Sequence, residues 1–132
     1  MYKVMALDIG TKRIGVALSD FLLVVANPHS CVLRVSDERA ISEIVKIAQE
    51  NRVEKVVVGL PINMDGTYGF QSEDCKDFAS KIKGFDIIFE DERLTSEQAE
   101  ENLRSRKIDY RKNKSLVDIE SACIILEQYL RK

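Results

Sequence analysis

The chain has 132 residues, 45% of them hydrophobic and 32% charged, with a formal net charge of −2 at pH 7. That length suits one domain, 1–132, built on a single core, and no apolar run approaches the roughly 18 residues that would span a membrane. The slight acidic excess does not advertise nucleic-acid binding, so such contacts would have to come from local patches. Met1 leads straight into a strand-like segment with no signal-peptide pattern, and a cytoplasmic location is expected.

Residues 2 to 9 alternate as a strand, and IGVALS (14 to 19) reads as a second, joined by the short GTKR connection into a hairpin. SCVLRV (30 to 35) predicts a third strand. Ser36 then reads as an N-cap with Asp37 and Glu38 in the first turn, and Ile41, Ile44, Val45 and Ala48 follow at helical spacing. KVVVGLP (55 to 61) is a continuous apolar run closed by Gly and Pro, the pattern of a strand buried on both faces. A Gly/Asn-rich loop, INMDGTYG, separates it from a helix predicted over 70–83. FDIIFE (85 to 90) is another buried strand. Thr95 opens a helix with Gln98 at capping-box spacing. The last helix starts near Ser115 with an apolar stripe of Ile119, Ala122, Cys123, Leu126 and Leu130. The first three strands can pair antiparallel, whereas the later two follow helices and should join in parallel through right-handed crossovers. An α/β fold follows: a mixed five-stranded sheet, three antiparallel then two parallel strands, with helices on both faces. This layout resembles that of ribonuclease H.

Cys31, Cys75 and Cys123 are far apart and form no Cys-x-x-Cys, which leaves no zinc ribbon or redox pair. The single histidine, His29, lies in the loop-like stretch NPHS. Catalysis, if any, must therefore rest on carboxylates and cations. RSRKIDYRKNK (104 to 114) carries six basic residues and one acid, either a solvated connector or a phosphate-binding patch.

Three acidic positions stand out. Asp8 shares a strand face with Val4 and Ala6, where a charge is costly without a partner. It could accept N–H bonds from the Gly10-Thr11 turn, or it could bind a divalent cation. Asp91 and Glu92 end the last strand, at the edge where open α/β sheets commonly hold ligands; either could instead pair with Arg93. Asp118 falls three residues after Ser115, so it could be a capping-box acid. Ser121 and Ala122 lie on the same side of that helix, small enough to let it approach the sheet edge closely. Three acids with Lys12, Arg13 and Arg93 nearby suit metal-assisted phosphodiester hydrolysis. Hard oxygen ligands hold Mg²⁺ or Mn²⁺, and two such ions roughly 3.5–4 Å apart activate water and stabilise the leaving oxygen. One tension remains: the first and fifth strands should lie roughly 10 Å apart with the fourth between them. The fourth strand offers only Gly59-Leu60-Pro61 beside Asp8, so Glu92 must reach inward, with Asp65 as a reserve ligand.

LDIGTKRIGVALSD, VVGLPINMDGTYGFQSE, DERLTSEQAE and VDIESACIILEQYL together resemble the YqgF/RuvX family, in order and over nearly the whole chain. The resemblance implies a ribonuclease H-like fold and a metal-dependent nuclease acting in 16S ribosomal RNA maturation, on a precursor that could be presented within a ribosomal particle. It also implies kinship with the Holliday-junction resolvase RuvC. Carried over by motif, the acidic site falls on Asp8, Glu92 and Asp118, with Asp91 as the alternative to Glu92. The Lys12-Arg13 turn, the 60-to-69 loop with Asn63, and Arg93 fall where substrate contacts belong. Where the family tends to Ala-Ala after the Asp-containing turn, this chain has Ser121-Ala122-Cys123. Four functions are thus in competition: an endonuclease on structured RNA, a resolvase of four-way DNA junctions, an ATPase, and a non-catalytic RNA-binding module. The ATPase reading is weakened because 132 residues supply one such domain where two must close over a nucleotide, and no GxxxxGK[ST] loop occurs.

Overall fold

A computed structural model of the chain describes residues 1–61, 69–92, 95–109 and 113–132, with the backbone alone at 95 and 96. Its elements are β1 (Lys3–Ile9), β2 (Arg13–Ser19), β3 (Ala26–Leu33), α1 (Asp37–Glu50), β4 (Val53–Leu60), α2 (Phe70–Ser80), β5 (Asp86–Asp91), α3 (Thr95–Ser105) and α4 (Ser115–Leu130). The strands form one sheet in the order β3-β2-β1-β4-β5. β1 pairs antiparallel with β2, and β2 with β3; β4 is parallel to β1, and β5 to β4. This is the mixed sheet the element order predicts.

Alternation along β1 divides the core. Met5, Leu7 and Ile9 pack on one side with Ala40 and Ile44 of α1 and Cys75 and Phe78 of α2. Val4 and Ala6 pack on the other with Ala122, Ile125 and Leu126 of α4. Val56, Val57 and Val58 of β4 are fully buried, as a central strand covered on both faces requires. Every residue of α4 from Ser121 to Leu126 is buried. A helix so enclosed reads as apolar nearly all round, not as a stripe.

Three local expectations are corrected. The third strand starts at Ala26 rather than 30, so NPHS lies in β3. Pro28 is tolerated because β3 is an edge strand, and the register shifts beside it, between Val16 and Ala17. His29 is exposed there, against Ser30 Oγ at 2.8 Å. α2 ends at Ser80, short of 83. No capping box starts α4: the Ser115 hydroxyl bonds to Asn113 Oδ1, the N-cap is Lys114, and Asp118 turns elsewhere. The Ser36 cap does form, accepting from the Arg39 N–H at 3.2 Å. The capping role of Thr95 lies outside the described residues.

Arg34, just beyond β3, ties the turn after β1 to two helices. It donates to Gly10 O at 2.9 Å, to Asp37 at 2.8 Å, and to both Asp74 oxygens at 2.7 and 2.8 Å. Its guanidinium also lies 4.9 Å from the centre of the Phe78 ring. Such a bidentate, stacked arginine fixes the position of the Gly10–Arg13 turn.

Candidate active site

Asp8 follows Val4 and Ala6 onto the α4 side of the sheet, and its neighbours there define the site. Across the antiparallel ladder Asp8 pairs with Gly15 of β2. On the parallel side Leu7 pairs with Val58, so the next rung sets Gly59 of β4 beside Asp8. Asp8 stands between two positions that have no side chain.

Each gap is filled from elsewhere. The backbone of the first turn of α4 sits on Gly15: a Cβ there would collide with the Asp118 carbonyl and stand 2.9 Å from Ile119 N. Glu92 lies over Gly59: a Cβ there would collide with Glu92 Oε2 and Ile125 Cδ1 and stand 3.0 Å from Glu92 Cδ. Glu92 is the first residue past β5, and its N–H donates to Leu60 O at 3.2 Å, extending the ladder by one step. From that anchor its side chain crosses β4 through the space Gly59 leaves and meets Asp8. The tension between strand spacing and acid pairing is resolved in this way.

The two carboxyl groups hydrogen-bond to each other. Burial pushes the Asp8 carboxyl up to about 6, against the lowering effect of its bond with Glu92 and with help from the Asp118 charge. Burial pushes Glu92 up to about 9, reinforced by the charge of Asp8, the bond with it, and the charge of Asp91. Two carboxylates this close resist ionising together and share a proton near neutrality. Glu92 Oε2 is nevertheless buried without a hydrogen-bond partner among the described residues.

Asp118 is near enough to influence Asp8, but its carboxylate is held by Arg13, whose Nε donates to Asp118 Oδ2 at 2.7 Å. The structure thus brings Asp8 and Glu92 together and ties the third acid to a cation. No group of three His, Cys, Asp or Glu side chains among the described residues stands ready to hold a metal ion. A hard divalent cation still fits the Asp8–Glu92 pair, because it would supply the positive charge both carboxylates need and a partner for the orphaned oxygen. Asp91 points outward at the end of β5 and is exposed, while Glu90 is buried beside Gly59 and paired with Lys132. Lys12 is exposed in the turn next to the site, its carbonyl accepting from Arg34 N–H at 2.9 Å. The Gly10 N–H closes the same turn on Arg13 O at 2.9 Å. Asn63, Asp65 and Arg93 lie outside the described residues. Gly59 was placed beside Asp8 from the sequence, but the gap it leaves for Glu92 and the approach of α4 on Gly15 were not read; a glycine inside a strand pattern was the available signal, since it marks a place where something approaches closely.

The family model described as RuvX, Holliday junction resolvase, matches residues 2–132. The chain belongs to the RuvX family. It is 43% identical over 131 residues to a protein of Carboxydothermus hydrogenoformans named "Putative pre-16S rRNA nuclease", spanning 97% of this chain and 95% of that one. A protein of the same name from Clostridioides difficile is 40% identical over 131 residues, 97% of this chain and 93% of its own length. Among solved structures, the RuvX-family chain is similar in fold to Thermus thermophilus RuvC in complex with a Holliday junction, with TM-score 0.57 and 10% identity over 98% of this chain and 94% of that one. Fowlpox virus resolvase with junction DNA gives TM-score 0.59 at 14% identity, over 98% and 97%. These two likenesses establish the ribonuclease H-like fold of the resolvases. Among the described residues no helix is long and apolar enough to cross a membrane.

Proposed function

We propose that this RuvX-family chain is a Mg²⁺- or Mn²⁺-dependent endonuclease that hydrolyses phosphodiester bonds at the ends of precursor 16S rRNA, acting in the cytoplasm as one domain of 132 residues. The observation that carries the chemistry is the half-buried Asp8–Glu92 pair with a buried oxygen of Glu92 left unpartnered. The names carried by relatives at 40% and 43% identity support the substrate.

Asp8 and Glu92 would hold the cation, with Asp118 as third ligand and Asp91 and Asp65 in reserve. The cation, when bound, supplies activation of water and charge stabilisation at the leaving oxygen. The protein does the rest. The Gly10–Arg13 turn, fixed from beneath by Arg34, presents Lys12 and Arg13 to the phosphates that flank the cleaved bond. A phosphate that takes over Arg13 frees the Asp118 carboxylate to turn toward Asp8, which couples substrate arrival to completion of the site. Asn63 and Arg93 are the remaining substrate contacts in this reading.

The family description favours a second reading, the cutting of four-way DNA junctions with the same acids. The test sets an RNA spanning a 16S precursor end beside a labelled four-way junction, each with Mg²⁺ and Mn²⁺ and with Asp8→Asn as control. RNA cut by wild type and spared by Asp8→Asn is the expected result. Cutting of the junction alone would replace the proposal with the second reading. Cutting of neither, with RNA binding that survives EDTA, would refute both and leave the basic 104–114 stretch as part of a binding module.

A further inference from the structure

The sheet edge that carries Asp8 is gripped from the face opposite α4 by the start of α2. Carbonyl groups beyond the end of a ladder need other donors, and side chains from the first two turns of α2 reach three such places. The Ser72 hydroxyl donates to Pro61 O, just past β4. The Cys75 thiol donates to Ile9 O, at the end of β1, at 3.7 Å. Asp74 acts through Arg34, its two oxygens accepting from Nη1 and Nη2 at 2.7 and 2.8 Å. Arg34 in turn holds both carbonyls of the turn after β1: Nη1 donates to Gly10 O and the backbone N–H to Lys12 O, each at 2.9 Å.

A guanidinium has five N–H donors in a rigid fork, and all five of Arg34 are engaged. Nε and Nη2 donate to Asp37, Nη1 and Nη2 to Asp74, and Nη1 to Gly10 O. The group therefore has one orientation, and the nitrogen that meets the turn is one that Asp74 also holds. Without Asp74, Arg34 would keep Asp37 and stay in place, but the side of the fork facing Gly10 would be free to rotate. Lys12 and Arg13 ride on that turn.

We propose that Asp74 is a positioning residue for substrate: through Arg34 it fixes where the turn holds Lys12 and Arg13, and so how many backbone phosphates of an RNA strand the protein neutralises. The proposal rests on the nuclease reading for the choice of RNA as substrate.

The test is the salt dependence of binding to a fluorescein-labelled, unstructured single-stranded RNA of the precursor sequence, read by anisotropy in EDTA so that nothing is cut. Each phosphate contact on a single strand adds about 0.7 to the slope of log affinity against log salt, so Lys12→Ala should make the slope shallower by about 0.7. Asp74→Ala should make it shallower by about 0.7 to 1.4, one or both contacts, although Lys12 and Arg13 are still present. In a Lys12→Ala/Arg13→Ala background the same substitution should change the slope by no more than about 0.2. Asp77→Ala removes an ion pair with Lys81 on the same helix that does not touch Arg34, and should leave the slope unchanged. Circular dichroism checks that each full-length variant is folded; if Asp74→Ala is not, Asp74→Asn, of the same size, carries the comparison. A purely structural role would lower the melting temperature and leave the slope alone. An Asp74→Ala slope equal to wild type would overturn the proposal, as would an equal drop in the Lys12→Ala/Arg13→Ala background or a wild type that binds no RNA. If the slopes shift as expected while precursor RNA is not cut with Mg²⁺ or Mn²⁺, the nuclease reading fails and the role of Asp74 stands.

Discussion

Gly59→Ala tests whether the acidic pair depends on a gap in the sheet. The new Cβ would fall on Glu92 Oε2 and Ile125 Cδ1, closer than real Cβ contacts come, and would stand 3.0 Å from Glu92 Cδ. Both colliding atoms are ends of flexible side chains, so the fold survives by moving them. Overpacking of this kind costs about 1–3 kcal/mol in stability. The carboxylate that moves is the one the site needs. A displacement near 1 Å of a catalytic group can cost about 100-fold in rate, or about 2.7 kcal/mol of transition-state stabilisation at 1.36 kcal/mol per tenfold. Cleavage of the precursor RNA is the assay, with urea unfolding alongside. Gly15→Ala is the contrast: its Cβ would meet the backbone of Asp118 and Ile119, so the first turn of α4 must shift and stability falls at the top of the range, about 3 kcal/mol or more. A Gly59→Ala protein with wild-type cleavage and wild-type stability would refute the placement of Glu92 over Gly59.

Arg34→Ala should lower stability by about 2–3 kcal/mol, because it removes a side chain only 9% exposed together with its charge-assisted bonds to Asp74 and Asp37, of which Asp37 keeps Lys81 at 3.1 Å; urea unfolding measures it, and Arg34→Lys should recover only part, since an ammonium cannot reproduce the two bonds to Asp74. The folded-state values of Asp8 and Glu92, about 6 and about 9, lie above those of an unfolded chain, so the native state binds protons more tightly. The resulting stability is complete at acid pH below the unfolded values, near 4, and is lost as pH rises through about 6 toward 9. Thermal unfolding without divalent ions should therefore shift downward across that window, and millimolar Mg²⁺ should flatten the dependence. Asp8→Asn should abolish cleavage yet melt higher than wild type at pH 8.

Much of the fold was legible because periodicity reports burial directly. The apolar run at 55–61 announced a strand covered on both faces, and the alternation in 2–9 announced a hairpin partner. Boundaries were missed where context overrides local signals: Pro28 and His29 look like loop but are carried by an edge strand with an adjacent register shift. The acids of the site were visible as residue types at strand and helix ends. Their meeting at one edge, with Glu92 reaching inward past Gly59, was legible too; what was not is the part played by the absent side chains on either side of Asp8. Gly15 and Gly59 matter only once the register sets them on either side of it. The Arg13–Asp118 pair spans 105 positions, and no local pattern encodes it; from the sequence Arg13 was a phosphate contact and Asp118 a ligand or a cap.

The higher melting temperature expected of Asp8→Asn follows from how the acids are balanced. Asp118 has its charge met by the Arg13 guanidinium at 2.7 Å. Asp8 and Glu92 face each other in a half-buried setting and have only a shared proton to reconcile them. At pH 8 that proton is held against the solvent at a growing cost, and each carboxylate raises the free energy of the other. An asparagine at residue 8 removes one charge and offers an amide N–H₂ as donor to the Glu92 carboxylate. A buried substitution that removes an ionisable partner is normally destabilising; here it removes a repulsion and supplies a hydrogen bond. The gain comes at the expense of the electrostatic demand that makes the pair a site for a divalent cation, the usual relation between a strained functional site and stability. Equal melting temperatures for wild type and Asp8→Asn at pH 8 would mean that the two carboxyl groups do not repel and that the pairing across Gly59 is not formed in solution.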